Sequence, residues 1–291
     1  MQRLIDTHAH LNFAEYINDN HEIIQDSLKS GIFIINVGTN YFSSERAIQI
    51  AQRYPAGVYA AIGLHPSNIQ YDLEAPKLKT DKPEDIVELD FNAKKYAKLA
   101  ESKKVVAVGE IGLDYLNLPN SNEKAHEIKK KQQKIFLKQL NFARSQKLPV
   151  IIHCRLAHDE MIKILAKDFS ANGKFAGVIH CFTATKDQAQ KYYDLGFYFG
   201  LNGVLFKMGL DEVVAEIPLN RLLLETDCPF LAPHRQGRAS PLQEGAAGKS
   251  ERNMPQNLPM IAQRVAQIRN DSVDTIIDAS TANAKSLFKI V

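Results

Sequence analysis

The sequence predicts an α/β chain folded as one (β/α)8 TIM barrel, a single domain spanning residues 1–291. Three observations predict it. Eight short β-branched runs alternate with longer helical stretches. The runs are apolar without alternation, as in strands of a parallel sheet buried on both faces. A length of 291 residues suits one large barrel. An open doubly wound sheet shares the alternation, because strand order is not written in a sequence.

The elements follow in order. Strands are expected at 4–6, 33–37, 58–62, 105–108, 150–152, 177–179, 198–200 and 222–224. Helices are expected at 22–30, 44–53, 84–102, 124–146, 159–168 and 186–195, with two more from about Asn257 and Val273. Ser43-Ser44-Glu45 and Thr185-Lys186-Asp187 have the composition of helix starts. Two polar, proline-bearing segments, 67–83 and 236–251, interrupt the rhythm after the third and eighth strands. In a barrel such strand-to-helix insertions lie on the C-terminal face, above an active site.

Composition narrows the function classes. With 45% hydrophobic and 24% charged residues the chain is ordinary globular material. A net charge of +3 neither requires nor excludes nucleic acid as a partner. No apolar run approaches the ~20 residues that span a bilayer, so no membrane is expected. Three cysteines are too few for a disulfide framework, which points to a reducing, cytoplasmic setting.

The chemistry lies at the strand ends. His8 and His10 stand two apart, on one side of the first strand. Glu110 follows the fourth strand, His153 the fifth, His180 the sixth and Asp227 the eighth. A barrel gathers these ends around one mouth. A lone strand-end histidine is usually structural, but six such groups in one mouth need a counter-charge, which one or two divalent metals supply. Cys154, Cys181 and Cys228 each directly follow a ligand-type residue, so strand alternation turns them toward the helices. Lys94-Lys95 and Lys129-Lys130-Lys131 lie on long amphipathic helices and are read as solvated faces.

These residues carry a resemblance. The stretches Asp6-Thr7-His8-Ala9-His10-Leu11, Ile62-Gly63-Leu64-His65-Pro66 and Val108-Gly109-Glu110-Ile111-Gly112-Leu113-Asp114-Tyr115 resemble the TatD-type deoxyribonucleases of the amidohydrolase-like superfamily. So do Leu148-Pro149-Val150-Ile151-Ile152-His153-Cys154-Arg155, His180-Cys181-Phe182-Thr183 and Leu224-Glu225-Thr226-Asp227-Cys228-Pro229. The resemblance implies that His8, His10 and Asp227 hold one metal. Glu110 then bridges to a second, held by His153 and His180. Asp227 and Glu110 become the catalytic carboxylates, with Asp227 taking a proton from a metal-activated water. His65, Arg155, Lys207 and Arg235 are candidate phosphate contacts, and Tyr115 a base-stacking or wall residue.

The implied activity is a deoxyribonuclease, a 3′–5′ exonuclease-type phosphodiesterase. The expected cofactors are two divalent ions (Mg, Mn or Zn), the partner single-stranded DNA ends, and the assembly a monomer or weak oligomer. An aminoacyl-tRNA ester deacylase or a small ester or amide hydrolase is the alternative use of the same water. Two departures stand out: in Arg252-Asn253-Met254-Pro255, Met254 occupies the place of the family's glutamate, and the 236–251 insertion separates this stretch from Pro233-His234-Arg235.

Overall fold

The computed structural model describes residues 4–70, 88–233 and 252–291. Eight strands form one sheet: β1 Leu4–Ala9, β2 Ile32–Val37, β3 Val58–Ile62, β4 Val105–Asp114, β5 Val150–Arg155, β6 Gly177–Ile179, β7 Tyr198–Leu201 and β8 Leu222–Leu224. Each pairs in parallel with its sequence neighbour. The sheet closes where Ala9 bridges Cys228. There the Asp227 N–H donates to the His8 carbonyl (2.8 Å) and the His10 N–H to the Cys228 carbonyl (2.9 Å). This is the (β/α)8 barrel expected from the alternation. The doubly wound alternative is excluded by the β1–β8 order.

Side chains stitch the same seam. The Thr226 N–H and hydroxyl donate to Asp6 Oδ1 (2.9 Å) and Oδ2 (2.6 Å), and the Thr7 hydroxyl donates to the Leu224 carbonyl (3.1 Å). Asp6 is fully buried, and burial pushes its carboxyl up to about 7.

The helices are α1 Asn20–Lys29, α2 Tyr41–Gln52, α3 Ser67–Gln70, α4 Ala93–Ala100, α5 Asn122–Gln146, α6 His158–Asn172, α7 Lys186–Asp194, α8 Asp211–Glu216, α9 Leu258–Arg269 and α10 Val273–Phe288. Two start in reciprocal capping boxes, Asn40 with Ser43 and Thr185 with Gln188. The first starts α2 earlier than the Ser43-Ser44-Glu45 reading. Helix α4 is much shorter than the predicted 84–102, of which 84–87 lie outside the described residues. Asn92 caps it by accepting the Lys95 N–H, and Glu88 accepts from the Tyr41 N–H (2.8 Å) and the Tyr96 hydroxyl (2.9 Å), which ties the preceding chain down. α3 and α8 are too short to register as a helical period. None of the described helices is long and apolar enough to cross a membrane.

Two apolar layers frame the site. The larger packs strands against helices, with Phe136, Leu140, Met161, Leu165, Leu258 and Ile261 among its buried residues. The other draws on all eight strands, through Ile5, Ile35, Ala61, Val106, Ile151, Val178, Tyr198 and Leu223, and on the end of α10. Ile151 and Val178 lie two residues before His153 and His180 on the same face. The functional groups therefore sit directly on top of the apolar barrel interior.

Thr226→Val removes the hydroxyl that bridges β8 to β1 and leaves a buried Asp6 oxygen unpaired. Urea unfolding should register a loss of about 1.5–3 kcal/mol. An unchanged midpoint would remove the seam from the account.

Candidate metal centre

All six predicted ligand-type residues meet at the mouth. His8 Nε2 and His10 Nε2 are 3.0 Å apart. Asp227 Oδ1 lies 3.8 Å from the first and 3.5 Å from the second. Glu110 stands at the centre, with its oxygens 3.4 Å from His8, 3.7 Å from His10, 2.8 Å from His153 and 3.5 Å from His180. His180 Nε2 is also 3.9 Å from Asp227 Oδ2, and its ring stacks on His8 at 3.6 Å.

Backbone irregularities aim these groups. The β1 register against β2 shifts between Asp6 and Ala9, and the β4 register against β5 shifts between Val108 and Ile111. His8 and Glu110 fall inside those two bulges, which redirect a side chain from its strand face. Asp227 turns with a left-handed φ of 56°, a costly conformation for a residue with a side chain. Gly112 has a φ of 150°, and a Cβ there would stand 1.9 Å from the His153 carbonyl oxygen. Only glycine lets β4 approach β5 at that point.

Hydrogen-bond partners sort the histidines by role. His10 Nδ1 is 2.9 Å from the Val37 carbonyl, which can only accept. Nδ1 therefore carries the proton and Nε2 presents a lone pair to the mouth. His180 Nδ1 lies 2.8 Å from Glu225 Oε1, so in the neutral ring its Nε2 is likewise free to ligate. Glu225 is itself fixed, accepting from the Cys181 N–H (2.8 Å) and Asn202 Nδ2 (3.1 Å). His153 sits between two carboxylates, Nδ1 by Glu110 and Nε2 3.2 Å from Asp114 Oδ2. His65 is the opposite of His10. The Ser67 N–H donates to its Nδ1 (3.1 Å), so in the neutral ring Nε2–H is a donor, 3.4 Å from Glu110 Oε1. His65, Glu110 and His153 lie within 4.8 Å of one another, as do His8, His10 and Asp227. In the cluster with Glu110 and His153 the tautomer makes His65 a hydrogen-bond donor to the mouth rather than a ligand.

The titrations follow from this crowding. Burial works against ionised Glu110, but His65, His8 and His180 hold it well below the usual carboxylate range. Burial likewise opposes ionisation of Asp227, and His180 with His10 and His8 lowers it. Burial opposes charge on His180, yet Glu225, Asp227 and Glu110 push it up to about 10. Among the described residues, Glu110 and Asp227 pair with histidines alone. With no described Lys or Arg pairing with these carboxylates, protons on imidazoles are the positive charge that the described residues offer, and a divalent cation can replace them. The nitrogen and carboxylate donors suit such an ion.

A family model described as TatD related DNase matches residues 5–289. The chain belongs to this TatD-related family. It is 34% identical to an uncharacterized metal-dependent hydrolase, YabD, of Bacillus subtilis, with 99% of each chain covered. It is 32% identical to a 3′-5′ ssDNA/RNA exonuclease TatD of a Pantoea strain, over 99% of this chain and all of that one. The crystal structure of YJJV, a TatD homologue from Escherichia coli, superposes with a TM-score of 0.76 at 27% identity, covering 100% of this chain and 99% of that one.

Within this TatD-family barrel the remaining sequence candidates separate. Arg155 ends β5 and Lys207 follows the turn Gly203–Phe206. Both are exposed, with no side-chain partner among the described residues. Arg235 and the 236–251 insertion lie outside the described residues, as does 71–83 of the other insertion. Tyr115 is half-buried against the strand–helix layer, with Gln133 on its hydroxyl (3.2 Å) and Lys129 4.8 Å over its ring. It is a wall residue. Lys94, Lys95 and Lys130 are exposed, as expected of solvated faces, whereas Lys129 and Lys131 are half-buried.

Cys154 faces the helices, as alternation predicts, and Cys228 does so too although it lies beyond the end of β8. Cys154 receives the Tyr192 hydroxyl (3.7 Å), and Cys228 is buried with Leu11, Tyr16 and Ile24. Cys181 does not. β6 ends at Ile179, and Cys181 turns with a φ of 45°, so strand alternation no longer applies. Its thiol groups with His180 and Asp227 at the mouth. Burial, then Asp227 and Glu225, push that thiol well above its ordinary range.

Sequence reasoning missed Glu225, Asp114 and Asn253. Asn253 is fully buried and donates to the Thr226 carbonyl (2.8 Å) and the Phe230 carbonyl (2.7 Å), which pins the turn carrying Asp227. The signal was the pairing of Glu225 with Asp227 at one strand end. Arg252 ion-pairs with Asp19 and lies over the Tyr16 ring (4.5 Å), and Met254 packs nearby in the α1 layer. The Met254 departure thus falls on packing and leaves the cluster intact.

Because the carboxylates around His180 favour its protonated form, pushing it up to about 10, ligation of a divalent ion by His180 would release a proton. Titration calorimetry with Mn²⁺ or Zn²⁺ at pH 7–8, in buffers of different ionisation heat, should show protons released on binding. Apparent affinity should rise with pH. Binding without proton release and without pH dependence would contradict the charge argument.

Proposed function

We propose that this protein is a two-metal phosphodiesterase that removes nucleotides from the 3′ end of single strands, with DNA as substrate. The observation that carries the reading is the mouth itself: two histidine Nε2 atoms 3.0 Å apart, faced by two carboxylates that have only histidine partners among the described residues. The relatives named as 3′-5′ ssDNA/RNA exonucleases support the substrate class and polarity.

His8, His10 and Asp227 would hold one ion, and Glu110, His153 and His180 the other, with Glu110 between them. Two such ions supply the positive charge that activates an attacking water and neutralises the phosphoryl oxygens. The protein's own residues do the rest. Asp227, with its side chain 13% exposed at the rim, accepts the proton of the attacking water and returns one to the departing sugar oxygen. Val37 and Glu225 hold the His10 and His180 rings so that their Nε2 atoms cannot swing away. His65 donates its Nε2–H to a phosphoryl oxygen, and Arg155 and Lys207 attract the strand's phosphates from the rim. Arg235 completes this set on sequence grounds. The free state of all three cysteines fits a cytoplasmic setting.

The test is a metal-dependence assay on 5′- and 3′-labelled single- and double-stranded oligonucleotides, alongside ester and amide substrates. Shortening from the 3′ end of single strands, abolished by chelation, is expected. Asp227→Ala should lower kcat by ~10²–10⁴-fold, and His8→Ala should abolish metal-dependent turnover. Full activity in both variants, or equal rates on circular and linear single strands, would overturn the reading.

A further inference from the structure

His10 and Asp227 each lead into the same short turn. The His10 carbonyl accepts the Phe13 N–H (3.0 Å), and the Asp227 carbonyl accepts the Phe230 N–H (2.9 Å). Each of these mouth residues thus carries an aromatic ring three positions further on. Because β1 and β8 meet at the barrel seam, the two turns stand side by side. Phe13 stacks on the His10 ring, with centroids 4.3 Å apart and planes at 17°. Phe230 stands edge-on to both, 6.3 Å from His10 and 6.4 Å from Phe13.

The two rings have no structural duty that explains them. Neither belongs to a buried cluster of the described residues. Phe230 is 51% exposed, and Phe13 is half-buried beneath the His10 ring. Yet the Phe230 backbone is fixed at both ends, its N–H on Asp227 and its carbonyl on the buried Asn253 (2.7 Å). A rigidly presented, solvent-facing ring one residue's reach from the mouth is what an aromatic partner requires. A nucleobase offers such a face, and stacking accepts any base.

We propose that Phe230, backed by Phe13, is the stacking platform for a nucleobase flanking the scissile phosphate. This rests on the nuclease reading above. It deepens it by assigning a source for preference between single and double strands. Bases of a single strand are free to stack on a protein ring, whereas those of a duplex are already stacked and paired. Purines, with larger faces, should be held better than pyrimidines.

The test compares the wild type with Phe230→Leu, which keeps apolar bulk without a ring, and Phe230→Tyr, which restores the ring. Both change a half-exposed side chain, so folding should survive; circular dichroism checks this. On an intact single-stranded oligonucleotide the leucine variant should raise KM roughly five- to tenfold, with the tyrosine variant near wild type. Substrates with an abasic residue on either side of the cleaved linkage locate the contact. At one of the two positions the difference between wild type and Phe230→Leu should vanish. Equal KM values on intact DNA, or a penalty that persists on both abasic substrates, would overturn the platform.

A second readout separates this from the nuclease reading. A phosphorothioate-linked oligonucleotide carrying 2-aminopurine at the located position is added to the metal-loaded protein. Quenching by the wild type and by Phe230→Tyr, absent in Phe230→Leu, supports stacking even if no substrate were cleaved. Cleavage by a wild type that quenches no better than Phe230→Leu would discard the platform and keep the nuclease.

Discussion

Everything at the barrel mouth depends on one constraint: two carboxylates and several imidazoles share a desolvated space and, among the described residues, no lysine or arginine pairs with Glu110 or Asp227. Charges so placed are costly unless neutralised. Protons on histidine are the remedy the chain itself offers, and His180 carries the largest burden. A divalent cation would supply the same positive charge, with the imidazole and carboxylate lone pairs at the mouth as its donors. The orienting contacts make sense only in that light. The Val37 carbonyl accepts from His10 Nδ1 on the far side of that ring, and Glu225 lies 2.8 Å from His180 Nδ1, so that the Nε2 atoms face the mouth.

The same residues close the fold. The His8 carbonyl and the His10 N–H form the backbone bonds that join β1 to β8, and Asp6 with Thr226 ties the seam just below. Barrel closure therefore brings His8, His10 and Asp227 together. A disturbance of the seam should reach the cluster directly, and one on the far side of the barrel should not. The left-handed turn at Asp227 is the local cost of bringing that carboxylate over the seam. Asn253, buried and bonded to both sides of the turn, holds it there.

Much of this was legible in the sequence because it follows from period and position. Apolar runs located the strands, and ligand-type residues at run ends located the mouth. What was not legible depends on breaks in the period. Glu110 and His8 reach the cluster from bulges, which leave no mark in a hydrophobic pattern. Cys181 departs from alternation because its strand ends two residues earlier. Helix α4 begins late because Glu88 is claimed by Tyr41 and Tyr96, contacts made across the fold. Phe13 and Phe230 were invisible because an aromatic in a loop carries no period at all. The roles of the histidines needed coordinates as well, since only a carbonyl or an N–H beside Nδ1 distinguishes a ligand from a donor.

The most direct test of the central claim is anomalous diffraction from crystals soaked in Mn²⁺. The account predicts two peaks at the mouth, one bonded to His8, His10 and Asp227 and the other to His153 and His180, with Glu110 reaching both and His65 bonded to neither. No peak in the mouth, or an ion ligated by His65 with His10 left unbound, would contradict it.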